Sequence, residues 1–232
     1  MKIGIIGNGF VGNAIAFGFS EYVPVKIYDK DPRKSLNSLE ETINESDFLF
    51  VSVPTPMNKD GSINLNNVYD VISDIDDLNE REDNIILLKS TIIPGTTERL
   101  ANDFPNLRIV FNPEFLTERK AKFDFINQAR VILGGAREDT EKVEELYKFR
   151  FANCNVVHTD SKTAEFIKYF GNIFFAVKVS FANEMKRICD LAEVDWEAAL
   201  KGFTSDARVA DSHLRVPGPD GRRGFGGSCF PK

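Results

Sequence analysis

Near the end of this 232-residue chain a cysteine sits among glycines, in GFGGSCFPK at 224–232. Gly224, Gly226 and Gly227 let backbone come close to a ligand. Arg222, Arg223 and Lys232 lie near Cys229, and positive charge favours the thiolate, the nucleophilic form of the side chain. Cys154 and Cys189, at a strand start and within a helical pattern, read as small buried hydrophobes. At the other end stands GNGFVG, residues Gly7, Asn8, Gly9, Phe10, Val11 and Gly12. It fits GxGxxG after a strand and at the opening of a helix. Gly7 allows the tight turn, Gly9 lets a pyrophosphate approach, and Gly12 lets helix pack on strand. Asp29 closes the next strand about 20 residues on, where a carboxylate holds a ribose 2′-hydroxyl and repels a 2′-phosphate. These residues predict NAD rather than NADP.

Other reactive side chains gather where strands end, the place where such sheets bind ligands. VPTP puts Thr55 there, KSTIIPG puts Ser90 and Thr91, and NPEFLTE puts Glu114 and Glu118. Turns collect Pro, Ser and Thr for conformational reasons too, so these segments alone do not decide. Lys168 and Asn172, four apart in AEFIKYFGN, share one face of a helix with Glu165, Phe175 and Val179. Polar groups on a mostly apolar stripe need partners. Read in isolation, Lys168 is a lysine snorkelling at the rim of the core.

The elements that must position these groups alternate. Strand patterns run at 2–6, 25–29, 47–53, 84–90, 107–111, 130–135 and 155–158, with helical patterns between several of them. That alternation predicts a Rossmann-like α/β fold, a doubly wound, mostly parallel sheet. Residues 1–160 would form this dinucleotide-binding domain. From Thr163 to Val194 apolar residues recur at helical spacing, predicting one long helix. Residues 161–232 would then hold that helix and a Gly- and Pro-rich loop carrying Cys229.

Composition narrows the class. Hydrophobic residues make 42% of the chain, which supports a core and excludes disorder. A net charge of -6 disfavours nucleic acid as a partner. Three separated cysteines and two histidines offer no ligand set for structural zinc, and no metal site is expected. The pattern suits a reduced cytoplasmic protein. No apolar run is long enough to span a bilayer, and the N-terminus does not read as a signal peptide.

GNGFVG, VPTP, KSTIIPGT, NPEFLTE, the Lys168/Asn172 pair and GFGGSCFPK follow one another in the order found in UDP-glucose and GDP-mannose dehydrogenases, and the chain resembles that family from residue 1 to 232. The stretch RVPGPDGRRGFGG looks most like the enzymes acting on UDP-glucose. The resemblance implies a four-electron oxidation of the sugar's C6 alcohol to a carboxylate, using two NAD molecules in turn. Cys229 would form a thiohemiacetal and then a thioester. Lys168 would stabilise the oxyanion with Asn172 beside it, and Glu118 and Thr91 would orient water and assist proton transfer. Glu114, Phe115, Leu116, Glu118, Lys168, Asn172, Arg215 and Gly226 would meet the sugar nucleotide. Thr55, Thr91, Glu118 and Lys232 would lie near NAD. The family's pattern continues beyond this point with a dimer-forming helix and a uridine-diphosphate-binding domain, so a homodimer is implied for the complete protein. GDP-mannose or another nucleotide sugar as substrate, a two-electron β-hydroxyacid dehydrogenase, and a truncated non-catalytic NAD-binding module are the competing readings. Cys229 argues against the second.

Overall fold

Strand β1 (Ile3–Ile6) is fully buried, and it is one of seven strands that share a single sheet. The others are β2 (Val25–Tyr28), β3 (Phe48–Val51), β4 (Ile85–Leu88), β5 (Ile109–Phe111), β6 (Arg130–Gly134) and β7 (Asn155–Thr159). The computed structural model describes residues 1–226. Strand order is β2-β1-β3-β4-β5-β6-β7. The central strands are continuous apolar runs because both faces are covered. Alternate side chains divide between two cores. Ile3, Ile5, Phe48, Phe50, Ile85 and Leu87 point to one face. Ile6, Leu49, Val51, Ile86 and Leu88 point to the other.

The first face is covered by α1 (Phe10–Phe19), α5 (Ala121–Ile126) and α6 (Arg137–Arg150). There Phe19 meets Phe50, Phe125, Tyr147 and Phe151 at centroid distances of 5.8–6.0 Å. The second face takes α2 (Leu39–Asn44), α3 (Asn66–Leu78) and α4 (Thr96–Asp103), with Ile43, Val68, Ile72 and Leu100 buried against it. The sheet is the doubly wound, mostly parallel one that the strand pattern predicts. The winding reverses between β1 and β3, and ligands bind at the carboxyl ends beside such a point.

Two strands break the parallel rule, because β6 and β7 run parallel to each other and opposite to the other five. β5 and β6 pair antiparallel, through Phe111 and Gly134. Residues 112–129 therefore remain at the carboxyl end of the sheet. Within them lie a 3-10 turn at Glu118–Lys120 and the short helix α5.

Helix α7 (Ser161–Leu191) is a single helix of 31 residues. It starts two residues before the expected Thr163, because the Asp160 carboxylate accepts the Thr163 N–H at 2.8 Å and so caps the first turn. It stops before the expected Val194, because Glu193 adopts φ +55 and Val194 N–H bonds back to the Cys189 carbonyl. The chain divides into two compact units inside α7, Met1–Lys168 and the remainder from Tyr169.

In the second unit α7 continues into α8 (Trp196–Thr204), whose N-cap Asp195 accepts the N–H groups of Glu197 and Ala198. Ala182, Trp196, Leu214 and Val216 form its small core. The following loop is tied to α7. Gly224 N–H donates to Asn183 Oδ1 at 3.1 Å, and Arg223 pairs with Asp190 at 3.1 Å. Among the described residues no helix is long and apolar enough to cross a membrane.

Candidate active site

The glycine turn follows β1 directly. Gly7 has φ +94, and a Cβ there would lie 2.6 Å from the Ser52 carbonyl oxygen, so β1 and β3 meet too closely for any side chain. A Cβ on Gly12 would lie 2.0 Å from the Gly7 carbonyl oxygen. At Gly9, by contrast, a Cβ would meet nothing within 4 Å among the described residues. Gly9 is also the N-cap of α1 and supplies no side-chain cap. The helix therefore presents uncapped first-turn N–H groups toward open space, an arrangement that fits an anion such as a pyrophosphate.

Asp29 stands beside this turn, half-buried. Its carboxylate accepts the Asn8 N–H at 2.6 Å and the Asp31 N–H at 2.8 Å. It thus pins the glycine turn from the neighbouring strand, and it has lone pairs left for a hydroxyl. Phe10 and Val11 form the first turn of α1, exposed and half-buried respectively. The residues present fit the NAD pyrophosphate and ribose.

The strand-end segments cluster at the same end of the sheet. Thr55 is buried and Thr91 half-buried. Ser90 Oγ donates to the Val53 carbonyl at 2.7 Å, tying the segment after β4 to the segment after β3. Glu118 is exposed in its 3-10 turn.

Glu114 is less available than its position implies. Its carboxylate accepts the N–H groups of Phe115 and Leu116 at 2.6 and 2.9 Å and forms an ion pair at 3.2 Å with Lys89. Lys89 is buried, and burial pushes its ammonium below the usual lysine value while Glu114 pulls it back up. Lys89 also donates to Asn112 Oδ1 at 3.0 Å, and the same oxygen accepts the Tyr147 hydroxyl at 2.5 Å. Burial raises the Tyr147 hydroxyl well above its ordinary value. This network makes the 112–116 connection rigid. Beside it is a cavity of about 320 Å³ lined by Lys89, Asn112, Glu114, Phe115, Gln128 and Arg130, among others.

Lys168 is buried (8% exposed) rather than snorkelling. Its Nζ donates to the Glu114 carbonyl and lies 5.2 Å from the Phe115 ring centroid. Arg130 stacks on the same ring at 4.7 Å. Lys168, Glu114, Phe115 and Leu116 are thus brought together in the first unit. Asn172, one turn along α7, belongs to the second unit and is half-buried. Arg215 and Gly226 are exposed in the second unit. Gly227, Cys229 and Lys232 lie outside the described residues.

Lys89, Asn112 and Glu165 were not among the residues singled out for a role by the motifs. Lys89 begins KSTIIPG and Asn112 begins NPEFLTE, so the signal was a polar residue at the carboxyl end of an otherwise apolar strand.

Known proteins match both parts of the chain. The NAD binding domain of the UDP-glucose/GDP-mannose dehydrogenase family matches residues 30–150, and the central domain of that family matches 162–232. A UDP-glucose 6-dehydrogenase of Bacillus subtilis is 36% identical over 204 residues, covering 84% of this chain and 44% of that protein. A UDP-glucose 6-dehydrogenase of Haloferax volcanii is 31% identical, covering 100% of this chain and 63% of that protein. The solved structure of a UDP-glucose dehydrogenase from Pyrobaculum islandicum superposes with a TM-score of 0.85 at 26% identity, over 99% of this chain and 61% of that one. The chain spans less than two thirds of the length of each of these relatives. With both patterns matched in sequence order, the chain belongs to the UDP-glucose/GDP-mannose dehydrogenase family.

Proposed function

We propose that this chain carries the NAD-binding and oxidising portion of a UDP-glucose 6-dehydrogenase. The observation that supports this most is the buried ammonium of Lys168, held on the Glu114 carbonyl at the carboxyl end of an NAD-type sheet. A fixed cation in a water-poor site is suited to an oxygen that gains negative charge as hydride leaves the adjacent carbon. NAD, when bound, accepts that hydride.

In this reading Lys168 holds the C6 oxygen and Asn172 supports it. The hydroxyl proton passes to a water oriented by Thr91 and Glu118. Cys229 adds to the resulting aldehyde as thiolate, giving a thiohemiacetal. Loss of a second hydride, which a second NAD would accept, leaves a thioester, and water cleaves it to the carboxylate and the free thiol. Phe115, Leu116, the Glu114 backbone, Arg215 and Gly226 contact the sugar nucleotide. Thr55 and Lys232 join Thr91 and Glu118 near the cofactor. Residues 1–160 serve as the cofactor domain and 161–232 begin the domain that pairs two copies. A reduced, cytoplasmic setting suits a reactive thiol.

The test is NADH formation by the purified protein with a panel of nucleotide sugars, repeated for Lys168→Ala. UDP-glucose should be the preferred substrate. In the variant, kcat should fall roughly 10²-fold or more, with NAD affinity nearly unchanged. An unchanged kcat, or preference for another sugar nucleotide, refutes this reading.

A further inference from the structure

Glu165 is completely buried and lies one turn before Lys168 on α7. Its two carboxylate oxygens take three donors. Oε1 accepts the Thr97 N–H at 2.7 Å and the Thr97 hydroxyl at 2.6 Å, and Oε2 accepts the Gly95 N–H. Gly95 is the N-cap of α4, has φ +92 and supplies no side-chain cap of its own. The start of α4 is therefore capped by a carboxylate from another helix.

Capping alone does not account for this arrangement. Burying a charge costs more than a local Ser or Asp cap on the same turn. What the remote carboxylate adds is a tie between two distant segments. α4 begins where the Thr91 connection ends, and that connection is fastened to Val53 by Ser90. Three residues after Glu165 the Lys168 ammonium donates to Glu114 in the 112–116 connection. Residues three apart share one side of a helix. Neighbouring turns of α7 thus hold two strand-end connections at once.

We propose that Glu165 is a positioning residue, holding the connection that carries Thr91 in register with the helical turn that carries Lys168. The claim that this register serves oxidation rests on the function proposed above. The claim that Glu165 sets the register does not.

Glu165→Gln is the informative variant, because an amide presents one acceptor and one donor to three donors. Amide hydrogen exchange is followed along the full chain, together with NAD binding and turnover. Exchange of residues 91–97 should accelerate roughly 10-fold or more while the rest of the sheet keeps its protection. The kcat should fall about 10- to 100-fold, with NAD affinity within about 2-fold of the parent. Thr97→Val, which removes one of the three donors and keeps the side-chain shape, should show the same pattern more weakly, and it decides the matter if Glu165→Gln does not fold. Uniformly faster exchange throughout the sheet, or local loosening without loss of kcat, overturns the positioning role. If the parent oxidises no nucleotide sugar, the proposed function fails, and exchange at 91–97 still decides the role of Glu165. Unchanged protection there refutes it.

Discussion

Three glycines in one turn do three different jobs, and substitution separates them. Gly9→Ala adds a methyl where no described residue lies within 4 Å. It should fold with stability within about 1 kcal/mol of the parent, yet weaken NAD roughly tenfold or more by occupying the space of the pyrophosphate, a loss of about 1.4 kcal/mol or more. Gly12→Ala drives a methyl to within 2.0 Å of the Gly7 carbonyl and should lose about 1–3 kcal/mol of stability. Thermal melts and titration calorimetry on the two variants distinguish a ligand space from a packing contact. A similar binding loss in both, with equal destabilisation, would remove the distinction. Asp29 is different again, since its carboxylate already pins Asn8. Asp29→Ala should weaken NAD by about 1.5–3 kcal/mol and narrow the gap between NAD and NADP. Equal affinity of the parent for the two cofactors would show that the carboxylate does not discriminate.

Elements carry their own sensitivities, and the second unit has one set by a histidine. His213 adopts φ +65 and stacks on Phe175 of α7 at a centroid distance of 4.2 Å. Burial, and then the nearby Lys178, hold its pKa below the ordinary 6.5. The folded state therefore binds fewer protons than the unfolded state just below that value. The contribution of His213 is complete above 6.5 and is lost as pH falls through the depressed folded value. Protection factors across α7 and α8, with the intrinsic base-catalysed exchange rate divided out, should fall on going from about pH 7 to about pH 5. His213→Asn, which tolerates the left-handed backbone, should flatten that dependence. An identical pH profile in the variant would rule out His213 as the cause. Much at this scale was legible in the sequence. Apolar strands, the glycine turn and the long helix follow from local periodicity. The reversal of β6 does not, because strand direction depends on where a connection ends and leaves no mark on the strand's residues. Nor do the partners of Lys89, Lys168 and Glu165. Spacing reveals which face of an element a residue occupies, but not which loop arrives there. Lys168 in particular reads as a rim lysine until the 112–116 connection is placed over it.

For the whole molecule, the place where the chain divides is physically informative. A sequence boundary at residue 160 separates sheet from helix, whereas the first unit ends at Lys168. Ala164, Glu165 and Lys168 are all buried against it. A fragment ending at residue 160 should therefore be several kcal/mol less stable than one ending a turn or more past Lys168, because it uncovers the apolar surface that Ala164 and Ile167 cover and loses the Glu165 hydrogen bonds to Gly95 and Thr97, about 0.5–1.5 kcal/mol each. The longer fragment is expected to fold and bind NAD. Denaturant titration of the two fragments decides this, and equal midpoints would place the boundary at 160.

The antiparallel join between β5 and β6 has a consequence for how such a sheet comes apart. Its ladder is short, with Phe111 opposite Gly134 as the register pair. Beyond it, one side chain takes over from the backbone. Asn112 donates through Nδ2 to the Ile132 carbonyl at 2.9 Å and accepts from Lys89 and Tyr147. The seam between the first five strands and the reversed pair is thus closed by this amide together with Arg108, which pairs with Asp139 of α6, and Arg150, whose Nε donates to the Gly18 carbonyl at 2.7 Å, over the shared core around Phe19. A seam tied by side chains and a shared core, rather than by a long ladder, should open together with the rest of the sheet as one cooperative unit.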